Sequence, residues 1–179
     1  MARYAAFLRG MNVGGHRITN ADLRREFEAM GFDDVGIFRA SGNVAFEASD
    51  ESTVELAARI EDGLESSLGY GVATFLRSDE EIRALAAHQP FDAAAIEASK
   101  GKLQVLFLSG EPSCEARTEV TGLATDSDRL EFSAARELFW LPAGGTLESG
   151  LDFKRIDALL GTSTSRTKGT VDQMCARFF

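Results

Sequence analysis

Arg9, Asn12, Gly14 and Gly15 crowd the end of a short apolar run, Tyr4 to Leu8, and together they have the makings of an anion cradle. Glycines in such a loop let backbone N–H groups converge, a guanidinium adds charge and an amide adds direction. The spacing fits neither a dinucleotide fingerprint nor a phosphate loop, because no Gly-Lys-Ser or Gly-Lys-Thr follows. The same glycines also read as backbone devices that supply positive φ and tight turns. Asn12 fits that second account poorly, since a polar side chain between Met11 and Val13 has no apolar role.

Two further groups of residues stand out. Ser41, Gly42 and Asn43 form a turn in which Asn satisfies nearby backbone, or a site from which Asn43 reaches the Arg9 loop. Arg166 and Thr170 lie in a hydroxyl-rich segment. A guanidinium there suits a carboxylate or phosphate. Equally, Thr170 caps the last helix and Arg166 pairs with a surface acid.

Little else in the chain suggests catalysis. There are 2 histidines, His16 and His88, and no Ser-His-Asp or Cys-His order. Cys114 and Cys175 lie far apart in no ligand-like spacing, so neither a metal nor another cofactor is expected, and both are expected as unbridged thiols. No reaction is assigned.

Composition narrows the partners. The net charge is −9, and nucleic-acid affinity comes mainly from Lys and Arg on phosphate, so a nucleic-acid partner is disfavoured. No apolar run approaches the roughly 18 residues that a membrane span requires. The sequence begins directly on strand-like residues, and a cytoplasmic location away from membranes is expected.

The elements that must hold these residues follow from pattern. Tyr4 to Leu8 is apolar on both faces, as a doubly buried strand would be. Asn20 is a candidate N-cap, with Leu23, Phe27 and Met30 on one helical face before Gly31. Val35 to Phe38 and Val44 to Phe46 flank the Ser41–Asn43 turn. Ser52 with Glu55 makes a capping box ahead of Leu56, Ile60, Leu64 and Leu68, and Val72 to Leu76 is a fourth strand. The order β-α-β-β-α-β is that of a ferredoxin-like plait. A second capping box, Ser78 with Glu81, opens a helix that stops before Pro90. From Leu103 onward the order β-α-β-β-α recurs, with a last helix from near Thr170. The expected fold class is therefore α+β, two ferredoxin-like α/β-plait subdomains with antiparallel sheets and helices on one face. The expected organisation is residues 1–77, a connecting helix and junction at 78–101, and a second subdomain with a C-terminal helix at 102–179.

Three segments resemble the uncharacterised bacterial proteins grouped as domain-of-unknown-function family 1697. Leu8 to Gly15 matches its opening Leu-Arg-Gly-x-Asn-Val-Gly-Gly, and Ser41 to Phe46 its Ser-Gly-Asn-Val-x-Phe element. Arg166, Thr170 and Val171 fit its third element, where Thr167, Lys168 and Gly169 replace an Asn-Trp-Asn core. The resemblance implies two plait-like subdomains, and no agreed substrate, cofactor or reaction.

The functional expectation is a small anionic ligand held at a polar patch between the subdomains, formed by Arg9, Asn12, Gly14, Gly15, Ser41, Asn43, Arg166 and Thr170. Two alternatives stand beside it. One is an RNA-binding plait, although Asn43 and Ala45 occupy positions where stacking aromatics would be wanted. The other is a module that self-associates through sheet edges, with the oligomeric state left open.

Overall fold

The paired apolar faces of Ala2–Arg9 make it β1, the strand around which the first half of the chain is built. It is followed by α1 (Asn20–Ala29), β2 (Asp33–Phe38), β3 (Asn43–Ala48), α2 (Thr53–Leu68), β4 (Ala73–Ser78), α3 (Asp79–Ala87) and α4 (Ala93–Ala98). The second half contains β5 (Gln104–Leu108), α5 (Cys114–Thr121), β6 (Asp128–Phe132), β7 (Glu137–Pro142), α6 (Phe153–Leu160), β8 (Ser163–Thr167) and α7 (Lys168–Phe178). This computed structural model describes residues 1–12, 15, 17–40, 42–49, 51–100 and 102–179.

The two sheets are four-stranded and antiparallel, ordered β2-β3-β1-β4 and β6-β7-β5-β8. Each is a plait, as the sequence pattern predicts. The chain divides into two units, Met1–Leu85 with Met174–Phe179, and Ala86–Gln173. The last six residues thus group with the first unit.

Local signals explain most boundaries. Ser52 and Glu55 bond reciprocally to start α2, and Ser78 and Glu81 do the same at α3. The cap of α1 is Thr19, one residue before the expected Asn20, and its hydroxyl accepts from the Asp22 N–H at 3.1 Å. The second half has a strand that pattern reading did not resolve. Ser163–Thr167 pairs along β5 as β8 and completes the sheet.

In the first unit α1 and α2 bury Leu23, Phe27, Leu56, Ile60 and Leu64 against Tyr4, Ala6, Leu8, Val44 and Phe46 of the sheet. Each fully buried side chain of this kind contributes roughly 1.5–3 kcal/mol. The opposite face is buried as well, at Ala5, Phe7, Asn43, Ala45, Phe75 and Arg77. Part of that cover is α7, whose Phe178 ring packs on Gly36 and lies 6.3 Å, edge-on, from Phe38. A Cβ at position 36 would collide with that ring. In the second unit Leu106, Leu130, Leu138 and Trp140 pack with Val120 and Ile156.

Candidate functional site

Chain direction decides which segments of the first unit meet. With β1 and β2 running one way and β3 and β4 the other, the loops at 10–19, 39–42 and 69–72 share one end of the sheet. Hydrogen bonds tie them together. Leu8 N–H donates to Gly42 O at 2.8 Å, and the Tyr70 hydroxyl donates to Met11 O at 2.8 Å. Gly42 has φ +70°, and a Cβ there would stand 3.0 Å from Leu8 Cβ and 3.3 Å from Met11 Sδ. Glycine suits both that conformation and that close approach.

The expected site residues of this unit take different roles. Arg9 is the last residue of β1, exposed, and paired in register with Ala73. Asn12 is exposed beside the buried Met11, and Gly15 is exposed at φ +86°. Asn43 is fully buried, its Nδ2 donating to Phe38 O at 3.0 Å across the base of the turn. Its position is that of a turn-closing residue. Gly14 and Ser41, together with His16, lie outside the described residues.

Arg166 and Thr170 belong to the second unit. Arg166 sits on β8 opposite Val105 and donates to Thr164 Oγ1 at 2.9 Å and Ser165 O at 2.7 Å. Burial pulls its guanidinium down to about 10, the direction expected for a cation taken out of water. Thr170 is buried in the first turn of α7, where its N–H is capped by Thr167 Oγ1 at 3.3 Å. The helix cap is therefore Thr167, with Thr170 as its recipient.

Sequence reasoning missed three arginines. Arg17 and Arg39 are exposed in the same loops as Asn12 and the Gly42 turn. The signal was available: the plait order places these loops together, and they contain Arg17 and Arg39, with Arg9 at the strand end beside them, and no acidic residue, in a chain of net charge −9. Arg77 is the third. It is fully buried on β4 opposite Ala5 and donates to Leu76 O at 2.7 Å, as Arg166 does to the carbonyl before it.

Asp128 in the second unit is a deeply buried acid. Burial alone would push its carboxyl up. Hydrogen bonds from Trp140 Nε1, Ser149 Oγ, Thr125 Oγ1 and the Gly150 backbone outweigh this and hold it below the usual carboxylate value. Asp128 is the anchor of that unit's core. Cys114 and Cys175 are free cysteines, and among the described residues no cluster of His, Cys, Asp and Glu could hold a metal ion. No helix among the described residues is long and apolar enough to cross a membrane. The sheet face on which an RNA-binding plait would stack bases is buried at Asn43, Ala45 and Phe7.

Comparison with known proteins supports the fold and stops short of an activity. The family model described as "Protein of unknown function (DUF1697)" matches residues 1–139. Among curated proteins none matches the sequence significantly. Among solved structures, a conserved bacterial protein, SP0830 from Streptococcus pneumoniae, is 24% identical, with a TM-score of 0.75 over 99% of each chain. That likeness speaks to the fold alone.

Proposed function

Since the chain belongs to the DUF1697 family, whose description assigns no function, we propose a reading from the chemistry of its own loops: the first unit binds a small anionic ligand at its loop end. One observation carries this. Three loops brought to one end of the sheet, together with the end of β1, hold the exposed Arg9, Arg17 and Arg39 and no acid, against a net charge of −9. A small region of positive potential in an acidic protein focuses anions, and its pull weakens with salt. Guanidinium forks suit the planar oxygens of phosphate and carboxylate. Asn12 adds an amide, and the left-handed Gly10 and Gly15 open the backbone to the ligand.

The roles follow. Arg9 supplies charge, Asn12 orients the ligand, and Asn43, Gly42 and Tyr70 fix the loops beneath it. Gly14 and Ser41 belong to the proposed set by their place in the chain. Arg166 and Thr170 support a separate role within the second unit.

The test is a thermal-shift titration of the full chain with inorganic phosphate and pyrophosphate at low salt. A ligand at 100 times its Kd adds about 2.7 kcal/mol of stability. Arg9→Ala and Asn12→Ala should each weaken the response at least fivefold without moving the ligand-free melting temperature by more than a degree or two. A wild-type protein indifferent to both anions at millimolar concentration refutes the reading.

A further inference from the structure

The β2–β3 turn places Arg39 in an unusual position. It is exposed and lies at φ +58°, a left-handed conformation that glycine or asparagine ordinarily takes in a hairpin. Among the described residues two other non-glycine positions share this feature. One, Asp34, is held by an ion pair to Arg3 at 2.5 Å, and the other, Lys102, precedes β5. Arg39 lays its guanidinium over the Phe38 ring, 5.3 Å from the centroid, and that ring packs edge-on against Phe178. A cation on an anchored aromatic platform has a defined place.

The register shows where that place is. Phe38, Asn43 and Phe7 pair in one row across β2, β3 and β1, and Arg9, two residues beyond Phe7, lies on the same face of the sheet. Two strand spacings separate β2 from β1, about 10 Å. One guanidinium from each of these two strands can bracket a small anion across that distance. Backbone strain retained at an exposed residue, with a fixed guanidinium as its result, is the pattern of a residue kept for binding.

We propose that Arg39 is a ligand-binding residue which, with Arg9, makes this end select a multiply charged phosphoryl anion over a singly charged carboxylate. The inference rests on the anion-binding reading above. Two guanidinium groups on opposite sides of one ligand neutralise a pyrophosphate far better than an acetate, because Coulomb attraction scales with ligand charge.

The experiment is isothermal titration of the full chain, at fixed low ionic strength, with sodium pyrophosphate and sodium acetate. The proteins are the wild type, Arg9→Ala, Arg39→Gly and Arg39→Asn. Wild type should prefer pyrophosphate at least tenfold. Both Arg39 variants should lose most of that preference while melting no lower than wild type, since Gly and Asn accept the left-handed backbone. If the Arg39 variants keep wild-type pyrophosphate affinity while Arg9→Ala loses it, this inference falls and the anion reading stands. If all variants keep wild-type affinity, or if wild type binds neither anion, both fall.

Discussion

The two units share a strand order and a register, yet they fasten the same end of the sheet by different means. Leu8 N–H reaches Gly42 O at 2.8 Å in the first, and Leu108 N–H reaches Arg136 O at 2.9 Å in the second. Phe7 pairs with Asn43, and Phe107 with Glu137. Beyond these matched positions the chemistry diverges. The second unit uses Arg117, half-buried, to bind the carbonyls of Pro112, Ser133 and Ala135, while Arg136 donates to Ser109 O. The first uses an amide, a phenol and a glycine, and carries Arg9, Arg17 and Arg39 at its surface. At this end of the sheet the second unit binds loop carbonyls with the half-buried Arg117, whereas the arginines of the first unit lie at the surface. That difference is the reason for placing a ligand on the first unit.

The largest test removes the clamp. Arg117→Ala leaves three carbonyls without their charged donor and strips a cation from the Phe132 ring, 5.0 Å away. It should cost about 3 kcal/mol in chemical denaturation. Asp128→Asn follows at about 2 kcal/mol, since the amide retains one acceptor oxygen for donors that now share two. The sign of its pH dependence is fixed. Folding holds this carboxyl below its ordinary 3.8, so its contribution is complete above that pH and disappears as pH falls through the lower folded value. The wild type should lose stability on acidification more steeply than the Asn variant. Parallel acid profiles for the two would remove Asp128 from its anchoring role.

The counterpart in the first unit is Asn43→Ala, expected to cost between about 1 and 2 kcal/mol by removing the buried side-chain donor to Phe38 O. A cost near zero would mean that the turn is held by Gly42 and Tyr70 alone. Bound-anion affinity should fall only as far as the turn shifts, in contrast to Arg9→Ala.

How far these roles could be read in advance depended on the kind of signal. Helices announced themselves through caps and periodicity, so Ser52 with Glu55 and Ser78 with Glu81 located α2 and α3. Thr19 and Asn20 are both capping types, and type alone does not choose between neighbours. Ser163–Thr167 escaped because every residue in it is polar, which hides the alternation that marks a strand. Asn43 is legible as a turn residue, but its burial is not, because that depends on the cover over the far face of the sheet, a long-range property. Arg39 carried no local mark, since a positive φ at arginine is imposed by the turn rather than chosen by the side chain. The anion patch itself was half legible: Arg9 and Asn12 lie in one segment, whereas Arg39 joins them only through strand order.

The smallest effects compare the two helices that leave the two loop ends. Thr19 caps α1 and Ser113 caps α5, each hydroxyl accepting from the N–H three residues on at 3.1 Å. The loops before them differ: the 10–19 loop is long and glycine-rich, whereas Pro112 stiffens the approach to Ser113. A cap is a local device, satisfying one orphan donor of the first turn, so Thr19→Ala and Ser113→Ala should each cost about 1 kcal/mol whatever precedes them. Thr19 also donates to Asp22 Oδ2 at 2.5 Å, an exposed bond that holds that carboxyl low without adding much stability. Hydrogen exchange at the first turn of each helix, read beside the denaturation midpoint, separates local fraying from global loss. Equal costs would mean that both helix starts are equally ordered, leaving the display of arginine as the feature that sets the first loop end apart. A much smaller cost at Thr19 would mean that the first turn of α1 is frayed without ligand, and would predict that pyrophosphate increases exchange protection at Ala21, Asp22 and Leu23.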